Sequence, residues 1–222
     1  MKIKKYLIVI LTVLLSSSLS WAQTIEENQC TPKPDDPYTL DCGKNFLTDY
    51  QAVNPDLSVN IVIEIPAGTL DKWEVMHDGI LKHDMKNGKP RIIKYLGYPG
   101  NYGMIPKTLS GDKYTLDAII IGAPPLARGS VAHAKIIGVL KLIDSGETDN
   151  KIVAVLDGTD LYKINNIDEL NKKFPGITKI IETWFKNYKG KGKIKSKGYG
   201  SLQKALDILN ESIESYNKSS QK

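Results

Sequence analysis

The stretch Val131-Ala-His-Ala-Lys-Ile-Ile-Gly-Val-Leu-Lys-Leu-Ile-Asp144, Ser145-Gly-Glu-Thr-Asp-Asn150, Lys151-Ile-Val-Ala-Val-Leu156 decides the fold. Two apolar runs flank a short polar connection. Runs of this length, rich in Val and Ile and bounded by turn residues, read as strands. Upstream, Leu116 to Ile121 is another long apolar strand, joined to the first by Ala123-Pro-Pro-Leu-Ala-Arg-Gly129. Further out, Leu57 to Ile65 alternates through Val59, Ile61 and Ile63. Lys72 to Met76 and Ile80 to His83 form a hairpin across Asp78-Gly79. Lys86 to Pro90 reads as a loop, Arg91 to Leu96 as a strand, and Gly97 to Gly103 as a turn-rich segment. Many short strands with Gly/Pro turns predict a small barrel.

The C-terminal part changes period. Asn166 to Phe174 and Ile177 to Tyr188 have helical spacing, with Ile177, Ile180, Ile181, Trp184 and Phe185 on one face. Ser201 to about Tyr216 is a third helix, its stripe being Leu202, Ala205, Leu206, Leu209 and Ile213. The lysine- and glycine-rich stretch from Lys186 to Lys197 reads as a solvated face. The fold class is therefore α+β, mainly β.

Within the 222 residues, 1–22 read as a signal peptide. Lys2, Lys4 and Lys5 form a basic start. Tyr6 to Leu15 is too short an apolar run to span a bilayer, and Ser20-Trp21-Ala22 resembles a cleavage site. Residues 23–56 read as an irregular extension, and 57–222 as one domain. Loss of the three lysines takes the formal charge from +5 to about +2. That, with 8% aromatic residues, gives no support to a nucleic-acid partner. No membrane association is expected once the signal is cleaved. Cys30 and Cys42 are the only cysteines. They can close a small loop in an oxidising compartment, a periplasm or outside the cell, or remain buried thiols. His77, His83 and His133 fall on different strands or their ends, with no zinc spacing.

The chemistry lies in four aspartates. Asp112 and Asp117 share Gly111-Asp-Lys-Tyr-Thr-Leu-Asp117, while Asp144 and Asp149 share the connection between the long strands. Carboxylates brought together repel unless cations neutralise them, and Mg²⁺ takes oxygen ligands of this kind. Lys72 and Glu74 alternate about Trp73 and point to one face. Asp149 and Lys151 do the same on an extended chain. Arg91, Tyr98, Tyr102, Tyr188 and Lys189 complete a set that suits a metal-bound phosphate: carboxylates for metals, cations for outer oxygens, phenols for hydrogen bonds.

The order of these residues resembles that of the family I soluble inorganic pyrophosphatases. Ile63-Glu-Ile-Pro66, Lys72-Trp-Glu74, Tyr98-Pro-Gly-Asn-Tyr-Gly103, Gly138-Val-Leu-Lys-Leu-Ile-Asp144, Asp149-Asn-Lys151 and Trp184-Phe-Lys-Asn-Tyr-Lys189 follow the family's order and approximate spacing, over roughly Ser58 to Gly200. The resemblance implies a five-stranded OB-like β-barrel with flanking helices, and Mg²⁺-dependent hydrolysis of pyrophosphate. It implies Asp112, Asp117, Asp144 and Asp149 as metal ligands, and Lys72, Arg91, Lys151, Tyr188 and Lys189 on phosphate oxygens. Glu64, Glu74, Tyr98 and Tyr102 would line the site, with Lys72, Arg91, Tyr102 and Lys151 closest to the chemistry. Members of the family form homo-oligomers, and the extension from Gln23 could block or create an interface. One departure stands out. The family's signature Asp-x-Asp-Pro-x-Asp reads Asp112-Lys-Tyr-Thr-Leu-Asp117 here, so the middle carboxylate, the family's general base, is Tyr114. This implies slow hydrolysis, a retuned substrate, or a phosphate- or polyphosphate-binding protein on the same frame.

Overall fold

The strand read across Val131 to Ile143 organises the whole sheet. The computed structural model describes residues 24–220, and the expected signal segment 1–22 lies outside them. In chain order the strands are β1 (Ile25–Glu26), β2 (Thr31–Lys33), β3 (Asp36–Asp41), β4 (Val59–Ile65), β5 (Trp73–Val75) and β6 (Leu81–His83). They continue as β7 (Met85–Lys86), β8 (Lys89–Pro90), β9 (Asn101–Ile105), β10 (Leu116–Ile120) and β11 (Val131–Asp144). The last are β12 (Glu147–Thr148), β13 (Lys151–Leu156) and β14 (Ile194–Gly200). The helices are α1 (Ile167–Lys173), α2 (Ile177–Asn187) and α3 (Leu202–Ser219).

β11 pairs antiparallel with β13, which runs parallel to β10; β10 then pairs antiparallel with β9, and β9 with β4. β4 pairs in turn with β11, so the hydrogen-bonded path through five strands returns to its start. Alternate side chains of these strands enter different cores. Ala118, Ile120, Ile152 and Ala154 pack with Ala205, Ile208 and Leu209 of α3. Ile119, Val153 and Val155 pack with Leu170 of α1 and Ile181, Trp184 and Phe185 of α2. Burial on both faces is why the runs are almost wholly apolar. The caps are local: Asn166 and Ser201 accept from the backbone N–H groups of Glu169 and Lys204 at the starts of α1 and α3.

Several expectations are corrected. Arg91 to Leu96 is not a strand; only Ile92 makes an isolated bridge, to Asp71. Ile92, Tyr95 and Leu96 are exposed, so the run has no covered face to hold it in a sheet. Conversely, the segment read as turns from Gly97 contains β9. Gly103 belongs there because a Cβ would lie 1.8 Å from the Val62 carbonyl oxygen, so only glycine admits β4 this close. The loop at Lys86 to Pro90 is a two-strand hairpin, β7–β8, turning on Asn87 and Gly88, both with positive φ. Ile194 to Gly200 forms β14 against β11, with Lys195 and Lys197 exposed on its outer side. Ile180 of α2 is exposed rather than on the packed face.

The extension from Gln23 is irregular only in its second half: β1, β2 and β3 form by Asp41, and residues 43–56 carry just an isolated bridge at Val53. β1 pairs with β11, and β2–β3 form a hairpin that pairs with β6. Cys30 and Cys42 are joined by a disulfide that packs on a third core of Phe46, Trp73, Leu81 and Met104. Gly129 lies beneath it with φ +82°, and a Cβ there would stand 2.3 Å from Cys30 Sγ. The extension thus braces the β5–β6 hairpin, which carries Lys72 and Glu74.

Candidate active site

The parallel register of β10 and β13 sets Asp117 directly beside Lys151. Side chains of directly paired residues share a face, so the carboxylate and the ammonium meet. Asp149 lies two residues before Lys151 and reaches the same ammonium, so Lys151 Nζ pairs with both Asp117 and Asp149. The Lys151 side chain is 4% exposed. Burial works against its charge, yet the two carboxylates outweigh it and raise its pKa, so the ammonium stays charged. Its Nζ also lies 5.6 Å from the centre of the Tyr102 ring on β9.

A second cluster forms at the open end of the β5–β6 hairpin. Lys72, just before β5, pairs with Glu74 and sits 3.3 Å from Asp84, which also takes Arg91 Nη1 at 2.8 Å. Burial and the Arg91 charge depress the Lys72 ammonium, while Asp84 pulls the other way. Glu64 enters from a β4 bulge, where Ile63 pairs with Gly103 and Ile65 with Tyr102, leaving Glu64 between them. It accepts the Val75 N–H at 2.6 Å. Burial, reinforced by the Asp117 charge, raises its pKa to about 8.

The remaining wall comes from the polar connection and α2. Asp144 ends β11 and pairs with Lys189, just past α2; against burial, that pair holds the carboxyl below its usual value. Tyr188 stacks on Trp184 with centroids 4.5 Å apart, and Tyr98 lies 4.5 Å from the same indole. The Trp184 N–H donates to the Leu96 carbonyl, fixing this aromatic cluster. Burial raises the pKa values of Tyr98, Tyr102 and Tyr188, so all three phenols remain protonated donors near neutral pH. Asp112 precedes a tight loop in which it accepts the Tyr114 N–H at 3.0 Å. Burial first, then the charges of Asp117 and Asp149, raise its pKa.

Every site residue read from the sequence, Glu64 included, faces one cavity of about 520 Å³. Asp84 was missed. Its only signal was a carboxylate at the end of the hairpin, seven residues before Arg91. His77 was missed as a site neighbour; it packs on Tyr114 with ring centroids 5.1 Å apart. Eight carboxyl groups but only four Lys or Arg side chains line the cavity. An anionic ligand therefore enters a net-negative site unless further cations accompany it. All the acidic donors are oxygens, as a hard divalent cation requires. Among the described residues no three acidic, His or Cys groups are already gathered as a metal cage. Instead Lys151 and Lys189 stand among the carboxylates.

Fold and site together define a mainly β protein with a cleft of carboxylates, cationic side chains and phenols at its strand ends. The family model for inorganic pyrophosphatase matches residues 61–217, and the chain belongs to that family. The inorganic pyrophosphatase of Haemophilus influenzae is 36% identical over 72% of this chain and 90% of its own length. The mouse mitochondrial inorganic pyrophosphatase 2 is 34% identical over 83% of this chain. This chain spans only 64% of that mouse protein and 42% of a Caenorhabditis elegans relative. A solved pyrophosphatase from Neisseria gonorrhoeae superposes with TM-score 0.67 at 32% identity, over 78% of this chain and 99% of that one. A truncated Trypanosoma cruzi vacuolar soluble pyrophosphatase shares the fold, with TM-score 0.78 at 23% identity over 99% of each chain.

Proposed function

We propose that this chain hydrolyses inorganic pyrophosphate to two phosphates with Mg²⁺. The observation that carries the reading is the cavity itself, where Asp112, Asp117, Asp144 and Asp149 meet Lys72, Arg91, Lys151, Lys189 and three neutral phenols. Asp112, Asp117, Asp144 and Asp149 would hold Mg²⁺, which would supply charge neutralisation and a water of lowered pKa. Lys72, Arg91 and Lys189 neutralise the outer phosphate oxygens, and Tyr98, Tyr102 and Tyr188 donate hydrogen bonds to them. Lys151 pairs with Asp117 and Asp149 and would be released to pair with phosphate oxygens if cations neutralised those carboxylates. Glu64, protonated at neutral pH, pins Val75 and so the strand that carries Glu74. Tyr114 supplies no carboxylate base, so turnover is slower than a site with Asp there would give. We read the five-strand circuit as the OB-like barrel of this family.

Phosphate release from pyrophosphate by purified protein, with Mg²⁺ and other divalent ions varied, tests the reading; no release above background rejects it. Tyr114 also favours a second reading, a phosphate- or polyphosphate-binding protein that has lost hydrolysis. Calorimetry with Mg²⁺ and pyrophosphate separates the two, since binding without turnover selects the second. We further propose that the chain is exported to a periplasm or the exterior. The basic and apolar start of the sequence and the Cys30–Cys42 disulfide support this. Mass spectrometry of the exported protein should find a start at Gln23. Sedimentation should show whether it is a homo-oligomer.

A further inference from the structure

The mouth of the cavity carries a feature for which an inorganic substrate has no use. Tyr114 is 60% exposed and stacks on His77, with ring planes 29° apart. The two rings come from different loops. His77 sits in the turn after β5, and Tyr114 in the loop that leads into β10. Both are held from behind. The Met76 N–H donates to the Ile80 carbonyl and the Gly79 N–H returns to Met76, closing the turn around His77. The Ser110 N–H donates to the Tyr114 carbonyl, and Lys113 has φ +69°, which sets the tight loop beneath the ring. Both rings line the same cavity as Asp112 and Asp117.

Pyrophosphate is phosphate oxygen on every side and offers no planar or apolar face. A two-ring stack with an open outer surface suits a planar aromatic group, and bases stack on such rings whatever their identity. A cavity of about 520 Å³ falls in the range of those that hold drug-sized ligands, roughly 300–1,000 Å³.

We propose that the His77–Tyr114 stack is a base-binding shelf, and that the site accepts nucleoside diphosphates as well as pyrophosphate. This rests on the pyrophosphate reading above. The diphosphate lies among the carboxylates, lysines and phenols, and the base lies on the exposed ring at the mouth. A water oxygen bonds to the terminal phosphorus, and the bond from that phosphorus to the bridging oxygen breaks. The products are phosphate, a nucleoside monophosphate and one proton released to solvent. The replacement of a carboxylate by Tyr114 then exchanges base catalysis for a contact that inorganic pyrophosphate cannot make.

The test is calorimetry of the full mature protein with ADP and with pyrophosphate, each with Mg²⁺, in wild type, Tyr114→Ala, Tyr114→Phe and His77→Ala. The readout is the ratio of the two dissociation constants, so a general loss of folding or metal binding cancels. Tyr114→Ala and His77→Ala should weaken ADP relative to pyrophosphate by about tenfold, and Tyr114→Phe should keep the wild-type ratio. No ADP binding to wild type, or a ratio that moves less than twofold in both alanine variants, overturns the shelf. In that event the stack only pins the two loops. Phosphate release from pyrophosphate is read alongside. Its absence counts against the pyrophosphatase reading, while the binding ratio still decides the shelf.

Discussion

Replacing Lys151 by Met tests the charge arrangement at the heart of the site. Methionine keeps an unbranched stem against the Tyr102 ring and removes only the ammonium. Asp117 and Asp149 then face each other without the cation that both now contact. Breaking a fully buried pair costs about 3–5 kcal/mol. Here the lysine side chain is 4% exposed, but Asp117 is 26% and Asp149 17% exposed, so water re-enters beside the carboxylates. The expected loss therefore falls below that range, at about 2–3 kcal/mol, or roughly 4–12 °C in Tm for a chain of this size. Urea unfolding at pH 7 in the presence of a chelator measures it. A cycle with Asp117→Asn isolates the pair and should give a coupling of about 1–2 kcal/mol. Added Mg²⁺ should then raise the Tm of Lys151→Met more than that of wild type, because the dication meets two unshielded carboxylates. A loss under about 0.5 kcal/mol, or equal Mg²⁺ shifts in both proteins, would refute the argument that Lys151 and the metal share one role.

Tyr114→Asp should raise the turnover of pyrophosphate by roughly 10²-fold or more, the usual worth of a positioned base; an unchanged or lower rate means the site is built around the tyrosine. Burial pushes the Glu64 carboxyl up to about 8, against 4.5 for a free glutamate, so the folded protein holds one extra proton between those values. Its contribution is complete below pH 4.5 and is lost as pH rises through 8, with a slope of at most about 1.4 kcal/mol per pH unit. Glu64→Gln, which still accepts the Val75 N–H, should flatten that decline in urea unfolding between pH 5 and 8. Replacing both Cys30 and Cys42 by Ser opens a crosslink with a sequence separation of 12, a loss of about 3 kcal/mol on the chain-entropy argument. Thermal unfolding with and without reductant should show wild type falling to the double variant.

Much of the site was legible because its residues lie at strand ends fixed by apolar runs. The pattern around Leu116, Val131 and Lys151 places three strands in the sheet, and the aspartates at their ends follow from it. Asp149 and Lys151 share a face by strand geometry alone. Arg91 was misplaced as a strand residue because the apolar letters of Ile92, Ile93 and Leu96 look like a sheet edge. Only the structure shows Ile92 and Leu96 open to solvent. β14 was hidden for the opposite reason. Its lysines and glycines carry no apolar alternation, and its pairing with β11 is a long-range fact. The same holds for β1 and β3, two short segments of a proline-rich extension that become strands only because β11 and β6 offer free edges. The contact of His77 with Tyr114 spans two loops far apart in sequence, and no local pattern encodes it.

A tyrosine rather than a carboxylate at position 114 has two physical consequences. With a carboxylate at that position, the excess of acidic over basic groups in the cavity would grow by one, and so would its attraction for divalent cations. Tyrosine lowers that excess and leaves a neutral ring at the entrance, where 60% of its surface is free. The charged interior is little affected, since Lys151 still holds Asp117 and Asp149 and Lys189 still holds Asp144. On the proposed reading, Tyr114 bears on the mouth and on the attacking water rather than on the lysines and phenols that would grip phosphate. Such a site would hold a diphosphate and cleave it more slowly than one with a carboxylate at position 114. The open face of the ring selects among diphosphates by what each carries beyond its phosphates.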